Sequence, residues 1–329
     1  MSNSVLVVGG AGYIGSHTCK ALKAAGFLPV VVDNLSEGHE WAVKFGPLER
    51  GEAGDATFMT EVIRKHKPVG LIHFAANAYV GESVANPRKY IQNNVVAMHN
   101  LLSVCIDENL NNVIFSSSCA TYGVPTQVPL DEEHTQLPIS PYGDSKLIGE
   151  KMLHWYSNAH PLRYVALRYF NASGADADGE IGEVHDPETH LVPLVIQAAL
   201  GIRPSISVFG TDYPTPDGTC QRDYIHVTDL GTAHVAALRY LIEGGASTRI
   251  NLGSGKPISV KEVIDEAARV IGREVPVVYG PRREGDPPGL YANPLKAKEV
   301  LGWESKHSSL ENILTTAYQW ELRRKELGI

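Results

Sequence analysis

Three side chains in the middle of the chain have the chemistry of a proton-transfer site. Tyr142 and Lys146 stand one helical turn apart in a segment that is predicted to be a helix, so both lie on one face. A phenol with a pKa of about 10 is a poor base at neutral pH, but an ammonium one turn away favours the phenolate. Ser118 follows a predicted strand, 112–115, and its hydroxyl could bridge Tyr142 and a substrate hydroxyl. We predict these three residues as catalytic, although the spacing alone also fits a core tyrosine beside a solvated lysine.

A glycine-rich turn near the N-terminus predicts a dinucleotide site. The apolar run 4–8 leads into Gly9, Gly12 and Gly15, and a helical pattern, a second apolar run (28–32) and Asp33 follow. Gly9 permits the tight turn, Gly12 lets the backbone approach a pyrophosphate, and Gly15 lets helix and strand pack closely. The helix N-terminus favours phosphate, and Asp33 can accept the adenosine ribose hydroxyls and repel a 2′-phosphate. A glycine triplet alone is often an ordinary turn, but the complete βαβ unit predicts NAD as the cofactor, whose positive nicotinamide would further favour a Tyr142 phenolate.

Composition excludes several classes of partner. The 329 residues carry a net charge of −8 with no block of lysine or arginine, which argues against nucleic acid or an anionic membrane. No apolar run approaches the ~18 residues of a membrane span, and no basic leader precedes the first strand. The four cysteines are far apart, so we expect free thiols in the cytoplasm.

The order of the predicted elements indicates an α/β protein. Strands and helices alternate up to residue 173 and include long helices at 87–109 and 140–158, while 34–51 has the composition of a loop. We predict a Rossmann-type doubly wound parallel sheet with a smaller C-terminal α/β substrate-binding domain. The predicted NAD-binding domain comprises 1–173 with 222–252, and the predicted substrate-binding domain comprises 174–221 with 253–329.

A wider set of motifs places these features in a known family. On them the chain resembles the extended short-chain dehydrogenases/reductases, most closely the UDP-galactose (UDP-glucose) 4-epimerases, over essentially its whole length. The segments that carry the resemblance are Gly9–His17, His73–Ala76, Val80–Ser83, Asn93–Asn94, Phe115–Ser118, Ser140–Gly143, Arg168–Asn171 and Gly218–Leu230.

The resemblance implies a role for each matched position. Tyr142 would remove the C4 hydroxyl proton of the sugar with help from Ser118, while Lys146 tunes the phenol and holds the cofactor. The residues that would contact NAD are Gly9, Gly12, Tyr13, Ile14, Gly15, Asp33, Asn34, Asp55, Ala56, Phe74, Ala75, Ala76, Asn93, Lys146 and Phe170. Those that would contact the UDP-sugar are Ser118, Tyr142, Asn171, His190, Leu191, Ser207, Val208, Phe209, Arg222, Arg283, Asp286 and Leu290. Outside this family context, the arginines also fit ordinary surface ion pairs.

The implied reaction is a 4-epimerisation, in which NAD⁺ oxidises C4, the 4-keto sugar rotates, and C4 is reduced on the opposite face. NAD would stay bound through turnover. Related dehydratases and decarboxylases carry an acid directly after the serine, where this chain has Cys119 and Ala120, so the sequence favours an epimerase. A lysine common in many epimerases is also absent from the segment 77–79.

Several alternatives stay open at this level. Leu290 stands at the position thought to gate N-acetylated sugars, and the segments 77–80 and 119–123 also look like UDP-xylose/UDP-arabinose 4-epimerases. A non-catalytic nucleotide-binding Rossmann protein and a net oxidoreductase that releases NADH are further readings. We predict no metal, because no second histidine has ligand spacing to His190. The resemblance implies a homodimer that packs helices 87–109 and 140–158 across a twofold axis, although their apolar residues also fit a monomer core.

Overall fold

The computed structural model describes residues 3–283 and 285–329. Met1, Ser2 and Glu284, which fall inside the predicted domain ranges, lie outside the described residues. The strands are β1 (Ser4–Val8), β2 (Leu28–Asp33), β3 (Leu48–Arg50), β4 (Gly70–His73), β5 (Asn112–Ser118), β6 (Arg163–Tyr169), β7 (Asn171–Ser173), β8 (Ile206–Phe209), β9 (Gln221–Arg222), β10 (Tyr224–His226), β11 (Thr248–Leu252), β12 (Ile258–Ser259), β13 (Val277–Gly280) and β14 (Gly289–Leu290).

Helices connect these strands and cover them. They are α1 (Tyr13–Ala24), α2 (Ala56–His66), α3 (Val80–Ala85), α4 (Pro87–Tyr90), α5 (Ala97–Asp107), α6 (Pro141–Ala159), α7 (Leu191–Ala199), α8 (Val227–Ile242), α9 (Val260–Ile271), α10 (Leu295–Leu301) and α11 (Leu310–Leu327). Among the described residues, none of these helices combines the length and the apolar character needed to cross a lipid bilayer.

The largest sheet has seven strands in the order β11-β6-β5-β4-β1-β2-β3, and every neighbouring pair is parallel. The chain winds outward in one direction from β1 to β3 and in the other from β4 to β11. The winding direction therefore changes between β1 and β4, and ligands of such sheets bind at the carboxyl ends of the strands at this switch point. The predicted doubly wound Rossmann-type fold is confirmed.

Alternating side chains of β1 show that the sheet is buried on both faces. Val5 and Val7 pack into one hydrophobic cluster with residues of α1 and α8, whereas Leu6 and Val8 pack into another with residues of α2, α5 and α6. A continuous β-branched run is therefore the pattern expected for this central strand.

A smaller region follows the large sheet along the chain. Its core combines α7, α9 and α11 with the parallel pair β8–β13, and Val195, Val263 and Ile313 are fully buried there. A second small sheet has the order β12-β9-β14. The smaller C-terminal α/β region is thus present, while the residue boundaries given above for two domains remain a prediction.

Two segments differ from the sequence-based expectation. The predicted loop 34–51 contains the edge strand β3, whose three residues pair with Val31, Val32 and Asp33 but include only one apolar side chain, so no alternation marks it. The predicted strand 112–115 continues to Ser118, because three serines pair with Leu167 to Tyr169 of β6. Serine carries little strand preference, and pairing with a neighbouring strand overrides it.

The predicted helix 87–109 is a continuous helical run over 87–107 with an interruption in its hydrogen-bond pattern. Asn86 caps it by accepting from the backbone N–H of Lys89, and Pro87 occupies the first position, as expected. Residues 91–96 form a π-helical turn between α4 and α5. Such turns are rare and occur frequently at functional sites; here the turn contains Asn93 and Asn94.

Candidate active site

The glycine turn packs directly against the chain that leaves β4. Gly9 has a φ of +82°, and a Cβ on it would lie 2.5 Å from the backbone nitrogen of Ala75. A Cβ on Gly15 would lie 2.2 Å from the carbonyl oxygen of Gly9, whereas one on Gly12 would meet that oxygen at 3.4 Å. The turn is therefore closed around Gly9 and Gly15 and open at Gly12, which leaves room for a ligand to approach the backbone at Gly12.

The neighbouring predicted cofactor residues line the switch point from both sides. Ile14 and Phe74 pack against the α1/α8 face of the core, and Ala75 packs against the opposite face, with Ala76 directly after it. The hydroxyl of Tyr13 donates to the carbonyl oxygen of Gly174 at 2.6 Å. Burial raises the pKa of Tyr13 well above its usual value, so this phenol stays protonated.

Asp33 is positioned by the backbone at the end of β2. Its two carboxylate oxygens accept from the N–H groups of Ala11 (3.0 Å) and Leu35 (2.9 Å), and its side chain is buried. Burial raises its pKa, although these two backbone donors oppose the shift. The carboxylate keeps unused lone pairs beside the glycine turn, which fits an acceptor for ribose hydroxyls.

A cavity of about 410 Å³ lies between the segment after β2 and the π-helical turn. Of the predicted cofactor residues, Asn93 lines it, and the full lining is Ser36, Glu52, Gly54, Asn77, Lys89, Gln92, Asn93, Ala97 and Asn100. Asn34 stands at its edge and donates to Glu52 at 3.1 Å. Asp55 instead caps α2 through the N–H groups of Thr57 and Phe58. Ala56 is the first residue of that helix.

The three predicted catalytic residues meet at the carboxyl end of β5. Ser118 is the last residue of the strand, and its hydroxyl lies close enough to Tyr142 to lower the pKa of that phenol. The Lys146 ammonium donates to the carbonyl oxygen of Ser116 at 2.8 Å and lies 5.9 Å from the centre of the Tyr142 ring. Ser118 is 8% exposed and Lys146 4% exposed, so both are shielded from water.

Burial dominates the electrostatics of this group. It raises the pKa of Tyr142 to about 12, an increase that the neighbouring Ser118 hydroxyl opposes, and it lowers the pKa of Lys146 to about 7. The sequence-based expectation combined the Lys146 ammonium with a positive nicotinamide ring; among the protein's own groups, desolvation dominates the pKa of Tyr142. Lowering the pKa of Tyr142 therefore needs positive charge beyond Lys146.

A buried polar network that the sequence analysis missed supports β5 from behind. Ser117 donates to Glu150 at 2.6 Å, and the Arg168 guanidinium binds both oxygens of the same carboxylate. Arg168 also donates to Tyr122, whose hydroxyl donates to Asn251. Because adjacent strand residues point to opposite faces, this network holds Ser117 while Ser118 faces the site.

A second missed group links the π-helical turn to the catalytic helix. The buried Asn94 donates to the carbonyl oxygen of Asn77 and to the hydroxyl of Ser145, both at 3.0 Å. It also accepts from the Asn77 N–H at 2.9 Å. The segment after β4 and the helix that carries Tyr142 and Lys146 are thus fixed to one side chain.

On the opposite wall, Arg222 is the centre of a hydrogen-bonded group. Its guanidinium donates to Asp286 at 2.6 Å and to the carbonyl oxygen of Pro287 at 3.0 Å. Leu290 pairs with Arg222 in the parallel strands β14 and β9. Asn171 donates to the carbonyl oxygen of Asp223 at 2.8 Å, next to this pair. Four predicted substrate residues are therefore brought together here.

Strand β8 supplies the other predicted substrate residues of this wall. Val208 is buried, whereas Ser207 and Phe209 point outward, and the Arg283 guanidinium lies 4.6 Å from the centre of the Phe209 ring. Guanidinium over an aromatic face is a favourable cation–π arrangement. Arg283 thus presents its fork beside an exposed aromatic ring.

A small apolar cluster joins the two walls. Phe170 is buried in it, and Cys119 and Leu290 pack against it. Burial raises the pKa of the Cys119 thiol to about 12, and the positive charge of Arg222 opposes this shift. Arg222 therefore lies within electrostatic reach of the residue that follows Ser118.

The loop before α7 contradicts one premise of the sequence analysis. His190 precedes Leu191, the first residue of α7, and the ring of His185 lies 5.2 Å from that of His190 between Glu183 and Glu188. A second histidine with ligand spacing is therefore present. Burial acts against charge on all of them, but the carboxylates raise the pKa of His185 to about 10 and the histidines lower that of Glu183 to about 2.

Comparison with known proteins agrees with this geometry. The model of the NAD dependent epimerase/dehydratase family matches residues 5–253. The chain belongs to this family. A UDP-glucose 4-epimerase of Rhizobium meliloti (strain 1021) is 53% identical over 99% of both chains.

Solved structures of family members have the same fold. The Brucella ovis UDP-glucose 4-epimerase in complex with NAD is 55% identical, with a TM-score of 0.95 over 97% of this chain and 98% of that one. The Bifidobacterium longum UDP-glucose 4-epimerase in complex with NAD⁺ and UDP is 36% identical, with a TM-score of 0.92 over 98% of this chain and 99% of that one.

The family includes dehydratases as well as epimerases, and the resemblance predicts an acid directly after the serine in the dehydratases. Cys119 and Ala120 begin a short 3₁₀ turn at the end of β5. Neither side chain is a carboxylic acid, and burial keeps the Cys119 thiol protonated. Within the epimerase/dehydratase family, the site has the composition of an epimerase.

Proposed function

We propose that the protein interconverts UDP-galactose and UDP-glucose, with NAD as a bound cofactor that each turnover regenerates. One observation carries the proposal: Ser118, Tyr142 and Lys146 meet at the end of β5, beside a glycine turn with space at Gly12 only. The curated relatives named UDP-glucose 4-epimerase, at 43–53% identity over nearly the full chain, support the same reaction.

The site residues fit NAD. The closed turn at Gly9 and Gly15, the buried carboxylate of Asp33 and the cavity beside Asn93 follow one another along the switch point. A carboxylate at the end of β2 suits a free 2′-hydroxyl and repels a 2′-phosphate. When bound, NAD⁺ supplies the reversible two-electron oxidation of C4 and a positive nicotinamide ring.

Tyr142 holds the proton of the sugar C4 hydroxyl during the reaction. The Ser118 hydroxyl, next to Tyr142, offers a route for that proton to and from the substrate oxygen. Because the pKa of the buried Tyr142 is about 12, the phenolate depends on positive charge close to the ring. Lys146, anchored on the Ser116 carbonyl, lies near enough to supply part of that charge when protonated.

The wall around Arg222 binds the UDP half of the substrate. Arg222 and Arg283 offer forked donors to a diphosphate, and Asn171, Asp286, Leu290, His190, Leu191 and the segment Ser207–Phe209 surround the nucleotide and sugar. Binding energy on UDP is remote from C4. It holds the substrate while the keto sugar presents either face to the cofactor.

The same chemistry would act on a UDP-pentose or a UDP-N-acetylhexosamine. The residues around Leu290 would determine which of these sugars, or a UDP-hexose, fits the site. Leu290 is partly exposed and packs on the cluster that contains Phe170. A net oxidoreductase would exchange its NAD with solution. A nucleotide-binding protein without turnover would have no need of the Ser118, Tyr142 and Lys146 group.

We further propose a cytoplasmic homodimer that packs the helical run 87–107 and α6 across a twofold axis. Large apolar side chains on these helices are exposed, including Ile91 (42%), Val96 (37%) and Trp155 (68%). Exposed apolar groups of this kind mark protein interfaces. The four cysteines are free thiols, which suits a reducing compartment. Light scattering that gave a monomer mass at micromolar protein would contradict the dimer.

The test is turnover without added NAD. Purified protein is incubated separately with UDP-galactose, UDP-N-acetylgalactosamine and UDP-xylose. We expect UDP-galactose to be converted to UDP-glucose, and Tyr142→Phe to lower kcat by about 10²–10⁴-fold through loss of the general base. Tyr240→Phe, which changes a tyrosine packed on Gly245 at the far end of α8, is the matched control.

The outcomes separate the alternatives. Conversion of UDP-xylose alone would support the same mechanism and identify the substrate as a UDP-pentose. Stoichiometric NADH release points to the net oxidoreductase. No conversion of any sugar with NAD present contradicts the enzyme and leaves the binding protein.

A further inference from the structure

Four potential metal ligands converge in the loop between β7 and α7. Glu183, His185, Glu188 and His190 each offer one ligand atom, and these atoms all lie within 4.8 Å of one another. The Nδ1 atom of His185 is 3.1 Å from Glu183 and 3.6 Å from Glu188. The Nδ1 atom of His190 contacts the same Glu183 oxygen and lies 3.7 Å from Glu188. Both imidazoles thus aim the same nitrogen at the same pair of carboxylates.

One pair of the cluster is hydrogen-bonded, His190 Nδ1 with the Glu183 carboxylate, but two other buried atoms have no hydrogen-bond partner in the described part of the chain. The Glu188 side chain is 7% exposed, and its Oε2 atom is buried without a hydrogen-bond partner among the described residues. The same holds for the Nδ1 atom of His185, because its contacts with the carboxylates have ion-pair distances but not the alignment of a hydrogen bond. Buried polar atoms are ordinarily satisfied, so two such atoms aimed at one point require an explanation.

The surroundings hold the loop in place from three directions. Trp320 of α11 donates to the Glu183 carbonyl at 2.9 Å, and His39 contacts the Val184 carbonyl at 3.2 Å. The ring of His185 lies 6.4 Å from that of Tyr13 and meets it edge-on. The four ligand atoms are therefore preorganised by packing outside the loop.

A second group of acidic residues is already paired with a cation of the protein. Asp176, Asp178 and Glu180 surround the Lys20 ammonium at 2.7–2.8 Å. Because a lysine already occupies the centre of that group, we propose no metal site there. The loop cluster has no lysine or arginine among its four ligand side chains.

We propose that Glu183, His185, Glu188 and His190 bind one divalent cation of the zinc class through two imidazole nitrogens and two carboxylate oxygens. Two nitrogens and two oxygens suit a four-coordinate Zn²⁺ site, whereas Ca²⁺ and Mg²⁺ prefer oxygen alone. The cation replaces the protons that otherwise hold the histidines and carboxylates together. It fixes the loop that leads into α7, and so fixes His190 and Leu191 at the substrate wall.

The experiment measures metal binding on the full, untagged protein with its resident nucleotide. After treatment with a chelator, the protein is titrated with Co²⁺ and then with Zn²⁺, and bound metal is counted by elemental analysis. We expect one equivalent of Zn²⁺ per chain. We also expect the visible absorption bands of a four-coordinate Co²⁺ site, which Zn²⁺ abolishes.

Ligand variants test the assignment. His185→Gln and Glu188→Gln are each expected to weaken Zn²⁺ binding by more than about 100-fold. Loss of a residue that only hydrogen-bonds a metal ligand weakens binding by at most about 100-fold, so a larger effect indicates a direct ligand. Asp178→Asn, in the cluster around Lys20, is the matched control and is expected to bind one equivalent.

Three results would overturn the proposal. These are wild-type protein that binds no stoichiometric Zn²⁺, a Co²⁺ complex with the spectrum of a six-coordinate ion, and ligand variants that bind as tightly as wild type. If a variant fails to fold, the wild-type stoichiometry and Co²⁺ spectrum still decide. Because none of these readouts is turnover, the site can fail while the proposed epimerase stands, and the reverse.

Discussion

The two walls of the site are built in different ways. On the cofactor wall, the backbone defines the shape: Gly9 and Gly15 leave no room for a Cβ, and backbone N–H groups hold Asp33. On the substrate wall, side chains define it: Arg222 pairs with Asp286, and Arg283 lies on Phe209. The first wall consists of buried groups with one possible arrangement, and the second of partly exposed groups that can exchange partners.

This difference suits a reaction in which the cofactor stays and the sugar turns. A fixed wall would hold the cofactor in place beside Tyr142 through both the oxidation and the reduction of C4. An adjustable wall can grip a diphosphate by replacing carboxylate and carbonyl partners with phosphate oxygens. Changes at the closed glycines of the first wall should therefore affect the fold, whereas changes in the second wall should affect mainly substrate binding.

The largest effect is expected at Gly15. In Gly15→Ala the new methyl would lie 2.2 Å from the Gly9 carbonyl oxygen, so helix α1 must move away from the turn. We expect the free energy of unfolding to fall by about 3 kcal/mol or more, with loss of bound NAD. Denaturant titration and the nucleotide content of the purified protein measure both.

Gly12→Ala is the matched comparison. Its methyl has an ordinary 3.4 Å contact with the same oxygen, so we expect the fold to remain while NAD is lost through a clash with the pyrophosphate. If Gly12→Ala and Gly15→Ala lost the same stability, the turn would be as tightly packed at Gly12 as at Gly15.

The second effect is a pH dependence that arises from Lys146. Burial lowers the pKa of Lys146 to about 7 in the folded protein, while the unfolded chain keeps a value of about 10.4. Between these values the unfolded state binds more protons, so stability rises with pH. In protein freed of nucleotide, we expect wild type to gain about 2 kcal/mol between pH 7 and 9 relative to Lys146→Met.

The control for this measurement is Lys151→Met, a change of an exposed lysine on the same helix. It should follow wild type at every pH. If the difference in the free energy of unfolding between wild type and Lys146→Met stayed constant with pH, burial would not lower the pKa of Lys146.

The cofactor wall could be predicted from the sequence because its contacts are local. The glycines, the helix cap and Asp33 lie within one βαβ unit, so their spacing alone fixes their relative positions. The catalytic pair is likewise one helical turn apart, and only the position of Ser118 needed the extra length of β5. Burial was the quantity that the spacing of Tyr142 and Lys146 could not supply, and it raises the pKa of Tyr142.

The substrate wall could be predicted only through the family resemblance. Arg222 and Asp286 are 64 residues apart, and β9 and β14 that place them have two residues each. No periodicity marks strands of that length. His185 and His190 meet because an irregular loop folds back on itself, and a fixed spacing rule cannot describe such a loop.

On this second wall, Arg222→Lys keeps the charge but removes the fork. The arginine binds Asp286 and the Pro287 carbonyl with two different nitrogens, which a single ammonium cannot reproduce. We expect KM for the UDP-sugar to rise about tenfold, equivalent to about 1.4 kcal/mol, with kcat little changed because the lost contact is remote from C4.

The control is Arg269→Lys, on the surface of α9 where Arg269 pairs with Glu266. Steady-state kinetics and the unfolding midpoint are measured for both variants. If Arg222→Lys destabilised the fold as strongly as Gly15→Ala, the two walls would not differ in the way described.

The smallest effect is expected at Arg283. Its guanidinium lies over the Phe209 ring, a contact of about 0.5–1 kcal/mol at a partly exposed position. Arg283→Ala should lower the free energy of unfolding by no more than this contact and leave NAD content unchanged. Loss of an exposed charge contact with the diphosphate should raise KM for UDP-galactose by about three- to fivefold at low ionic strength. The neighbouring Arg282→Ala removes an arginine that pairs with Asp212 and lies over Tyr213, and it serves as the control. Since a diphosphate contact is screened by salt, the difference in KM between the two variants should shrink as salt is raised. A salt-independent difference would mean that Arg283 shapes the wall by packing on Phe209 and not by its charge.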